Sequence, residues 1–224
     1  MLHAGRSQPT LAQDALAALC RTYWPPLYAY VRRRGQSAHD AQDLTQAFFA
    51  RLLERGWIQR ADPDKGRFRT FLLTALQRFL SDEWDRARAL KRGGAQPPVS
   101  LDALEADYLS AAATTLSADR LYDRQWALAL LDRTLQRLEA ECARAGRADE
   151  FAHLKPFLTA DREELHYADV ARAAGLTEGA ARVAVHRLRR QYRRLFREEI
   201  AQTVDTPAET EAEVRHLLQS LATS

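Results

Sequence analysis

The sequence predicts an all-α protein built from two small helical domains. Apolar residues recur at helical spacing along most of the chain, whereas stretches that alternate apolar and polar residues are few and β-branched residues do not cluster. The chain has only 9 Gly and 8 Pro among 224 residues, and 46% of its residues are hydrophobic, which is typical of a globular protein rich in helix formers. A chain of this length can bury two modest cores.

Composition also argues against several classes of protein. The two cysteines, Cys20 and Cys142, lie far apart without a CxxC motif or a histidine at ligand spacing, which argues against a zinc site and fits a reducing cytoplasm. The first residues carry no apolar signal-peptide core, and no apolar run approaches the ~20 residues that span a bilayer. We therefore expect a cytoplasmic protein without a metal, a cofactor or a membrane-inserted segment.

The net charge of +3 is the balance of 33 Lys and Arg residues against 30 Asp and Glu residues. This small sum hides local excesses, because basic residues concentrate at 67–92 and 182–197 while 101–123 and 201–224 are acidic. The two basic segments are candidates for contact with nucleic acid.

In the first half of the chain, helical periodicity predicts helices over 11–34, 37–54 and 67–92. The Pro25-Pro26 pair is expected to break or kink the first helix, because proline removes a backbone donor and clashes with the preceding turn. Ser37 is the predicted N-cap of the second helix.

A change of composition predicts the boundary between the domains. Residues 93–120 contain a Gly-Gly and a Pro-Pro pair, and five acids oppose a single Arg between positions 101 and 123. The predicted division is a first domain at 1–95, an acidic linker at 96–120, a second domain at 121–200 and an extension at 201–224.

The most specific local pattern is a helix-turn-helix at 167–190. Gly175 supplies the left-handed residue that a tight turn requires, Leu176 fills the gap between the helices and Thr177 caps the second helix. Seven arginines and no acid lie within 182–197, and such a helix fits base edges and phosphates in the major groove. The pattern predicts DNA binding; the alternative is a solvated basic face on an ordinary helical hairpin.

A second candidate nucleic-acid surface lies at 67–92, where aromatic and basic residues are interleaved. Bases that leave a duplex stack on aromatic side chains, while cations hold the backbone. The alternative is that Phe68, Phe71 and Phe79 belong to the core, since their spacing also suits a buried helical stripe.

Three motifs, in this order, resemble those of a bacterial RNA polymerase sigma factor. They are Asp40-Ala-Gln-Asp-Leu-Thr-Gln, Gly66-Arg-Phe-Arg-Thr-Phe-Leu-Leu and Ser81-Asp-Glu-Trp-Asp-Arg, followed by the linker and the helix-turn-helix. The resemblance covers about residues 11–200 and is to the two-domain extracytoplasmic function (ECF, group IV) type, in particular to a kinase-linked subgroup. It implies sigma domain two at 1–95, sigma domain four at 121–200 and no enzymatic activity.

The resemblance also implies which residues meet each partner. The residues expected to dock on the β′ clamp helices of core RNA polymerase are Asp40, Gln42, Asp43, Gln46 and Arg51. Those expected to meet the minus ten element of promoter DNA are Arg69, Leu76, Gln77, Arg78, Phe79, Trp84, Arg88 and Lys91, with 76–82 as a loop that captures a flipped base. Those expected to meet the minus thirty-five element, in a domain that contacts the β flap, are Glu178, Arg182, Val183, His186, Arg187 and Arg190.

The chain departs from the family pattern in two places. Gln42 and Ala47 stand where acids are common, so weak binding to core polymerase is expected. Thr45 lies between them, and its phosphorylation would add about −1.5 to −2 charges. The hypothesis is that a Ser/Thr protein kinase activates the factor at Thr45; otherwise Thr45 is a plain residue of the helix surface. The second departure is Val183-Ala184, which replaces a common Ser-Arg and leaves the promoter sequence open.

The tail at 201–224 predicts a short amphipathic helix with an acidic start. It is expected either to pack back on a domain and shield a basic helix or to cover a hydrophobic patch. For the whole chain, the alternative function is a stand-alone helix-turn-helix regulator, which binds duplex DNA without polymerase.

Overall fold

The structure is a computed structural model that describes residues 7–57, 66–90, 116–158 and 167–222, without the side chains of 7–19 and 87–90. Within these ranges the chain forms eight α-helices, one short 3-10 turn and no strand, which confirms the predicted all-α class. The helices are α1 (Ser7–Arg33), α2 (Ala38–Glu54), α3 (Phe68–Leu90), α4 (Ala118–Arg144), α5 (Ala148–Leu154), α6 (Tyr167–Ala174), α7 (Glu178–Ala201) and α8 (Pro207–Ala222), and the 3-10 turn is Lys155–Phe157.

The helix α1 runs through Pro25 and Pro26 as one element, so the prolines do not divide it in two. The residues that follow, 27–31, are all buried, and Leu27 and Val31 are completely enclosed. Burial of this segment supplies the tertiary support that offsets the hydrogen bonds the prolines remove.

The chain divides into two compact units, each described here by itself. The first contains Met1–Ala129 and Thr203–Ser224, and the second contains Leu130–Gln202. This division differs from the predicted one, because the start of α4 and the whole tail belong with the N-terminal helices. Residues 96–115 of the predicted linker lie outside the described part of the chain.

An aromatic cluster joins α1, α3 and the start of α4 in the first unit. Trp126 is completely buried, and its ring stacks on that of Tyr23 at a centroid distance of 4.3 Å. The Phe68 ring lies 6.3 Å from the same indole. Further along α3, Phe79 packs edge-on against Phe48 of α2 at 5.7 Å. Trp126 thus fixes the start of α4 in the first unit, which explains why the boundary falls inside that helix.

The second unit packs α5, α6, α7 and the end of α4 around one apolar core. Gly175 joins α6 to α7 with a φ of +64°. The Leu176 N–H donates to the Ala171 carbonyl at 2.9 Å, and the Thr177 hydroxyl accepts from the Ala180 N–H at 3.3 Å. The two helices and the turn between them therefore lie at the residues predicted from the sequence.

Replacing Gly175 with Ala is expected to destabilise the second unit by about 1–2 kcal/mol, the penalty for a side chain in the left-handed region. No atom lies within 4 Å of the position that a Cβ would take, so the loss comes from the backbone and not from a clash. Hydrogen exchange of the α6 and α7 amides in the full chain measures this change.

Gly179, in the first turn of α7, provides the matched control. A Cβ there also meets no atom within 4 Å, and the backbone is helical. Because Ala is favoured over Gly in a helix, Gly179→Ala is expected to raise stability by up to about 1 kcal/mol. Equal losses in the two variants would contradict the turn geometry.

Candidate polymerase and nucleic-acid interfaces

The helix α2 presents a polar face that includes most of the residues predicted to dock on polymerase. Asp40, Asp43 and Gln46 are exposed, and Gln42 is half-buried. The Ser37 hydroxyl accepts from the Asp40 N–H at 3.1 Å and donates to the Asp40 carboxylate at 2.7 Å, so the predicted N-cap is formed. The two carboxylates of this face lie within the first turns of the helix.

Arg51 is engaged inside the first unit. Its Nη2 lies 3.1 Å from Glu83 Oε1, and its guanidinium lies 4.9 Å from the centroid of the Phe79 ring. That Arg51 docks on polymerase stays a prediction, and its cation is already paired with Glu83 and stacked on Phe79 of α3. Its position gives it the role of joining α2 to α3.

Thr45 lies in the core and not on the surface of α2. Its side chain is 0% exposed, and its hydroxyl donates to the Ala41 carbonyl at 2.6 Å. Both sequence-based interpretations, a phosphorylation switch and a plain surface residue, placed Thr45 on the helix surface, and that placement is wrong. A kinase must reach the hydroxyl that it modifies, and a phosphate here would bury charge.

Three residues predicted to meet the minus ten element are buried on α3. Leu76 and Phe79 belong to the core of the first unit, and Arg69 is 7% exposed. Arg69 Nε lies 2.8 Å from Glu213 Oε1, and its Nη1 pairs with Asp123. In this arrangement none of the three is accessible to DNA. The prediction is corrected for Leu76 and Phe79, which belong to the core, whereas Arg69 is covered by Glu213 of the tail.

The predicted base-capturing loop at 76–82 lies inside α3, which continues through it as a helix. The prediction is wrong because Leu76, Phe79 and Leu80 are buried at helical spacing. The connection that precedes α3 is 55–67, of which 58–65 lie outside the described residues.

The other predicted minus ten residues differ in accessibility. Gln77 and Arg78 are exposed, and the Gln77 amide donates to the Tyr30 hydroxyl at 3.0 Å. Trp84 is half-buried, with the Arg34 guanidinium 5.4 Å from its ring. The side chain of Arg88 and the whole of Lys91 lie outside the described residues.

A groove of about 560 Å³, here called the α3 groove, runs beside the first turns of α3. It is lined by Gly66, Arg67, Thr70, Phe71, Thr74, Ala75, Arg78 and Glu209. Thr70 and Thr74 were missed by sequence reasoning, although their four-residue spacing with Arg78 places all three on one helical face. Cations, hydroxyls and an aromatic side chain together suit a nucleic-acid strand, which offers phosphates and base faces.

The helix α7 exposes every residue predicted to meet the minus thirty-five element. These exposed residues are Glu178, Arg182, Val183, His186, Arg187 and Arg190. Arg182 Nη2 lies 3.3 Å from Glu178 Oε1, and its guanidinium lies 5.0 Å from the Tyr167 ring centroid. Val183, an apolar residue, is 57% exposed in the middle of this face. The face is therefore accessible to a partner along three turns of the helix.

Beside this face, a groove of about 500 Å³ has five arginines in its lining. The lining residues are Tyr167, Val185, His186, Arg189, Arg190, Arg193, Arg194, Arg197 and Glu198. Arg189 is tied down, because it donates twice to the Phe157 carbonyl, at 2.8 and 3.1 Å. The accessible charge of 182–197 is therefore smaller than its arginine count suggests.

Arg194 is also held within the second unit. It pairs with Glu198 on its own helix and lies 3.5 Å from Glu141 of α4. Burial works against ionisation of Glu198, but Arg194 and Arg137 outweigh it and lower the pKa of this carboxyl. The ionised carboxylate keeps Arg194 engaged at neutral pH. Sequence reasoning missed these pairs because both acids lie outside 182–197.

The part of the chain that the structure describes holds no group of three or more side chains placed to bind a metal ion. Among the same residues, no helix combines the length and apolar character that a membrane crossing requires.

Residues 19–90 match the Sigma-70 region 2 family model. The match covers 72 of the 224 residues and includes most of α1 and all of α2 and α3. It supports a sigma factor family, and with it a role in promoter recognition together with RNA polymerase. No curated protein and no solved structure matches the chain.

Proposed function

We propose that the chain is a sigma factor of the extracytoplasmic function type, which binds core RNA polymerase and directs it to promoters. The observation that carries the proposal is the Sigma-70 region 2 match, because it falls on the helices that form the docking face and the α3 groove. The exposed basic face of α7 supports it as a second DNA-reading element. In this proposal the polymerase performs all catalysis, and the chain is not an enzyme.

The first unit docks on the β′ clamp helices through the exposed face of α2. Asp40 and Asp43 supply its negative charge, whereas Gln42 and Ala47 supply none. Complementary charge at an interface mainly accelerates association. This acid-poor face therefore predicts slow association with core polymerase, and the association rate falls further as salt rises.

The minus ten element binds as a single strand in the α3 groove. Arg67 and Arg78 hold phosphates there, and Phe71 offers a ring against which a base can stack. Thr70 and Thr74 supply hydroxyl groups on the same face. The continuous helix over 76–82 leaves no loop there to capture a flipped base.

The second unit places α7 in the major groove of the minus thirty-five element and contacts the β flap. Arg182, Arg187 and Arg190 are the residues that suit guanine edges or phosphates, because a guanidinium donates two parallel hydrogen bonds. Val183 suits an apolar contact such as a thymine methyl group.

Run-off transcription with purified full-length chain and core RNA polymerase tests this function. On fragmented DNA of its own host, the reconstituted holoenzyme is expected to start transcripts at a limited set of asymmetric promoters, which their 5′ ends identify. Binding to a palindromic duplex site without any association with polymerase would contradict the proposal and favour a stand-alone regulator.

A charge reversal on the docking face sharpens the same experiment. Asp43→Lys is expected to weaken binding to core polymerase by about tenfold, a loss of about 1.4 kcal/mol. Asp132→Lys, at an exposed position of α4 in the second unit, makes the same change of charge and is expected to leave this affinity unchanged. Equal effects would show that α2 is not the docking face.

Phosphorylation of Thr45 is not part of this proposal, because the Thr45 hydroxyl is buried against the Ala41 carbonyl. A chain that works with bacterial RNA polymerase acts in the cytoplasm, which agrees with the location expected from the sequence.

A further inference from the structure

The tail helix α8 lies against the start of α3 and joins it through one buried carboxylate. Glu213 is 1% exposed; its Oε1 lies 2.8 Å from Arg69 Nε and its Oε2 lies 2.9 Å from Arg67 Nη1. The Phe68 N–H, at the first residue of α3, donates to the Thr203 carbonyl at 3.0 Å. One acidic group of the tail therefore bridges two arginines at the N-terminal end of a helix.

Arg69 is held by a second acid as well. Its guanidinium pairs with one oxygen of Asp123, whose other oxygen lies 2.9 Å from His216 Nε2 on α8. The Tyr122 hydroxyl donates to the Arg69 carbonyl at 3.0 Å. Burial works against the charged guanidinium, but Glu213 and Asp123 outweigh it and raise the pKa of Arg69. The two acids thus keep Arg69 fully charged inside the first unit.

Stability alone explains this cluster poorly. Buried ion pairs return little net stability, because desolvation of both charges offsets their attraction, and apolar residues of similar volume often serve as well. The best attested use of buried ion pairs is to favour one conformation or one register of the chain over another. Two guanidinium groups that converge on one point form an arrangement suited to phosphate, and here a carboxylate fills it.

The cluster is continuous with the α3 groove. Arg67 belongs to both, and Glu209 of α8 lies in the groove lining. The tail therefore sets one carboxylate between the two arginines and a second on the wall of the groove. A DNA strand that enters the α3 groove meets the Glu209 carboxylate as a like charge, whereas Glu213 is buried.

We propose that α8 is a built-in competitor of promoter DNA: Glu213 occupies a phosphate site formed by Arg67 and Arg69, and a phosphate of the minus ten strand takes its place when the promoter binds. The inference rests on the proposed sigma function. Release of α8 exchanges one anion for another at the arginines, so no cation is left buried without a partner. The apolar anchor of α8 is short, since Val214 and Leu217 are buried while Leu218 is exposed.

Glu213→Gln is expected to tighten binding of the holoenzyme to a labelled promoter found by run-off transcription about five- to tenfold, because the arginines lose their internal competitor. Glu211→Gln makes the same change of charge at an exposed position of α8 and is the control. Its dissociation constant, measured by fluorescence anisotropy, is expected to stay within about twofold of the unmodified value.

In a chain that already carries Arg67→Gln, adding Glu213→Gln is expected to bring no gain in promoter affinity. DNA phosphate and Glu213 then no longer share Arg67 as a partner. A gain that survives Arg67→Gln, or the same affinity in Glu213→Gln and Glu211→Gln, overturns the inference. So does a loss of affinity in Glu213→Gln, which is the result of a purely structural role for the pair.

Hydrogen exchange in the unmodified holoenzyme tests the inference without any substitution. Promoter DNA is expected to accelerate exchange of the α8 amides while the first turns of α4 stay protected. Specific transcription with unchanged or slower α8 exchange overturns the competitor role and leaves the sigma function standing. A lack of specific transcripts from the unmodified holoenzyme overturns both.

Discussion

Replacing Thr45 with Asp is expected to lower the stability of the first unit by about 3–5 kcal/mol, the effect of leaving an unpaired charge in a protein interior. Thr45 is fully enclosed, and its hydroxyl donates to the Ala41 carbonyl. A carboxylate in its place loses this donor and sets a negative charge beside a carbonyl oxygen. Uptake of a proton relieves the charge, but it too costs free energy at neutral pH.

Tryptophan fluorescence during urea unfolding of the full chain measures this loss selectively. All four tryptophans, Trp24, Trp57, Trp84 and Trp126, lie in the first unit. Gln46→Asp, one position further along α2 and exposed, is the matched control and is expected to change stability by less than about 0.5 kcal/mol. If Thr45→Asp is as stable as the unmodified chain, the side chain at position 45 is accessible in solution.

Because Thr45 is buried, the phosphomimetic variant Thr45→Asp tests the stability of the first unit and not phosphorylation. Loss of polymerase binding in Thr45→Asp is the expected result of unfolding around α2, whether or not a kinase acts on the chain. Thr45→Val keeps the branched shape without the hydroxyl and is expected to cost about 1 kcal/mol or less. Polymerase binding that persists in Thr45→Val therefore shows that the hydroxyl is not needed for docking.

Local signals in the sequence predicted most of the helices and several of their ends. Ser37 and Thr177 cap α2 and α7, and Gly175 takes the positive φ of the turn between α6 and α7. These features are encoded by adjacent residues, because caps and turns are satisfied within three or four positions of the chain. The continuation of α1 through its two prolines was not predicted, because burial of the residues that follow them depends on partners distant in the chain.

Contacts between distant segments decided which predicted site residues are accessible. Arg69 and Glu213 are 144 positions apart, and no residue near Arg69 in the chain indicates that α8 covers it. The basic count of 67–92 therefore overstated the charge that α3 presents. On α7 the prediction of the exposed face succeeded, because a stripe of buried apolar residues defines the opposite face of the helix.

Replacing Arg187 with Ala is expected to weaken binding of the holoenzyme to its promoter by about 1–3 kcal/mol, which is about five- to 150-fold in Kd. Arg187 is exposed near the centre of the α7 face, one turn beyond Val183. It therefore lies where a recognition helix meets base edges or phosphates. Arg144→Ala removes the same charge from an exposed position at the end of α4 and is expected to leave promoter binding unchanged.

A conservative variant then tells base reading from phosphate binding. Arg187→Lys keeps the charge but loses the paired donors of the guanidinium. If Arg187 reads a guanine edge, the Lys variant retains its salt dependence and loses discrimination among promoter sequences. If Arg187 holds a phosphate, the Lys variant binds nearly as the unmodified chain does, while the Ala variant lowers the slope of log K against log salt by about 0.9. Unchanged affinity in Arg187→Ala would contradict the placement of this face of α7 in the major groove.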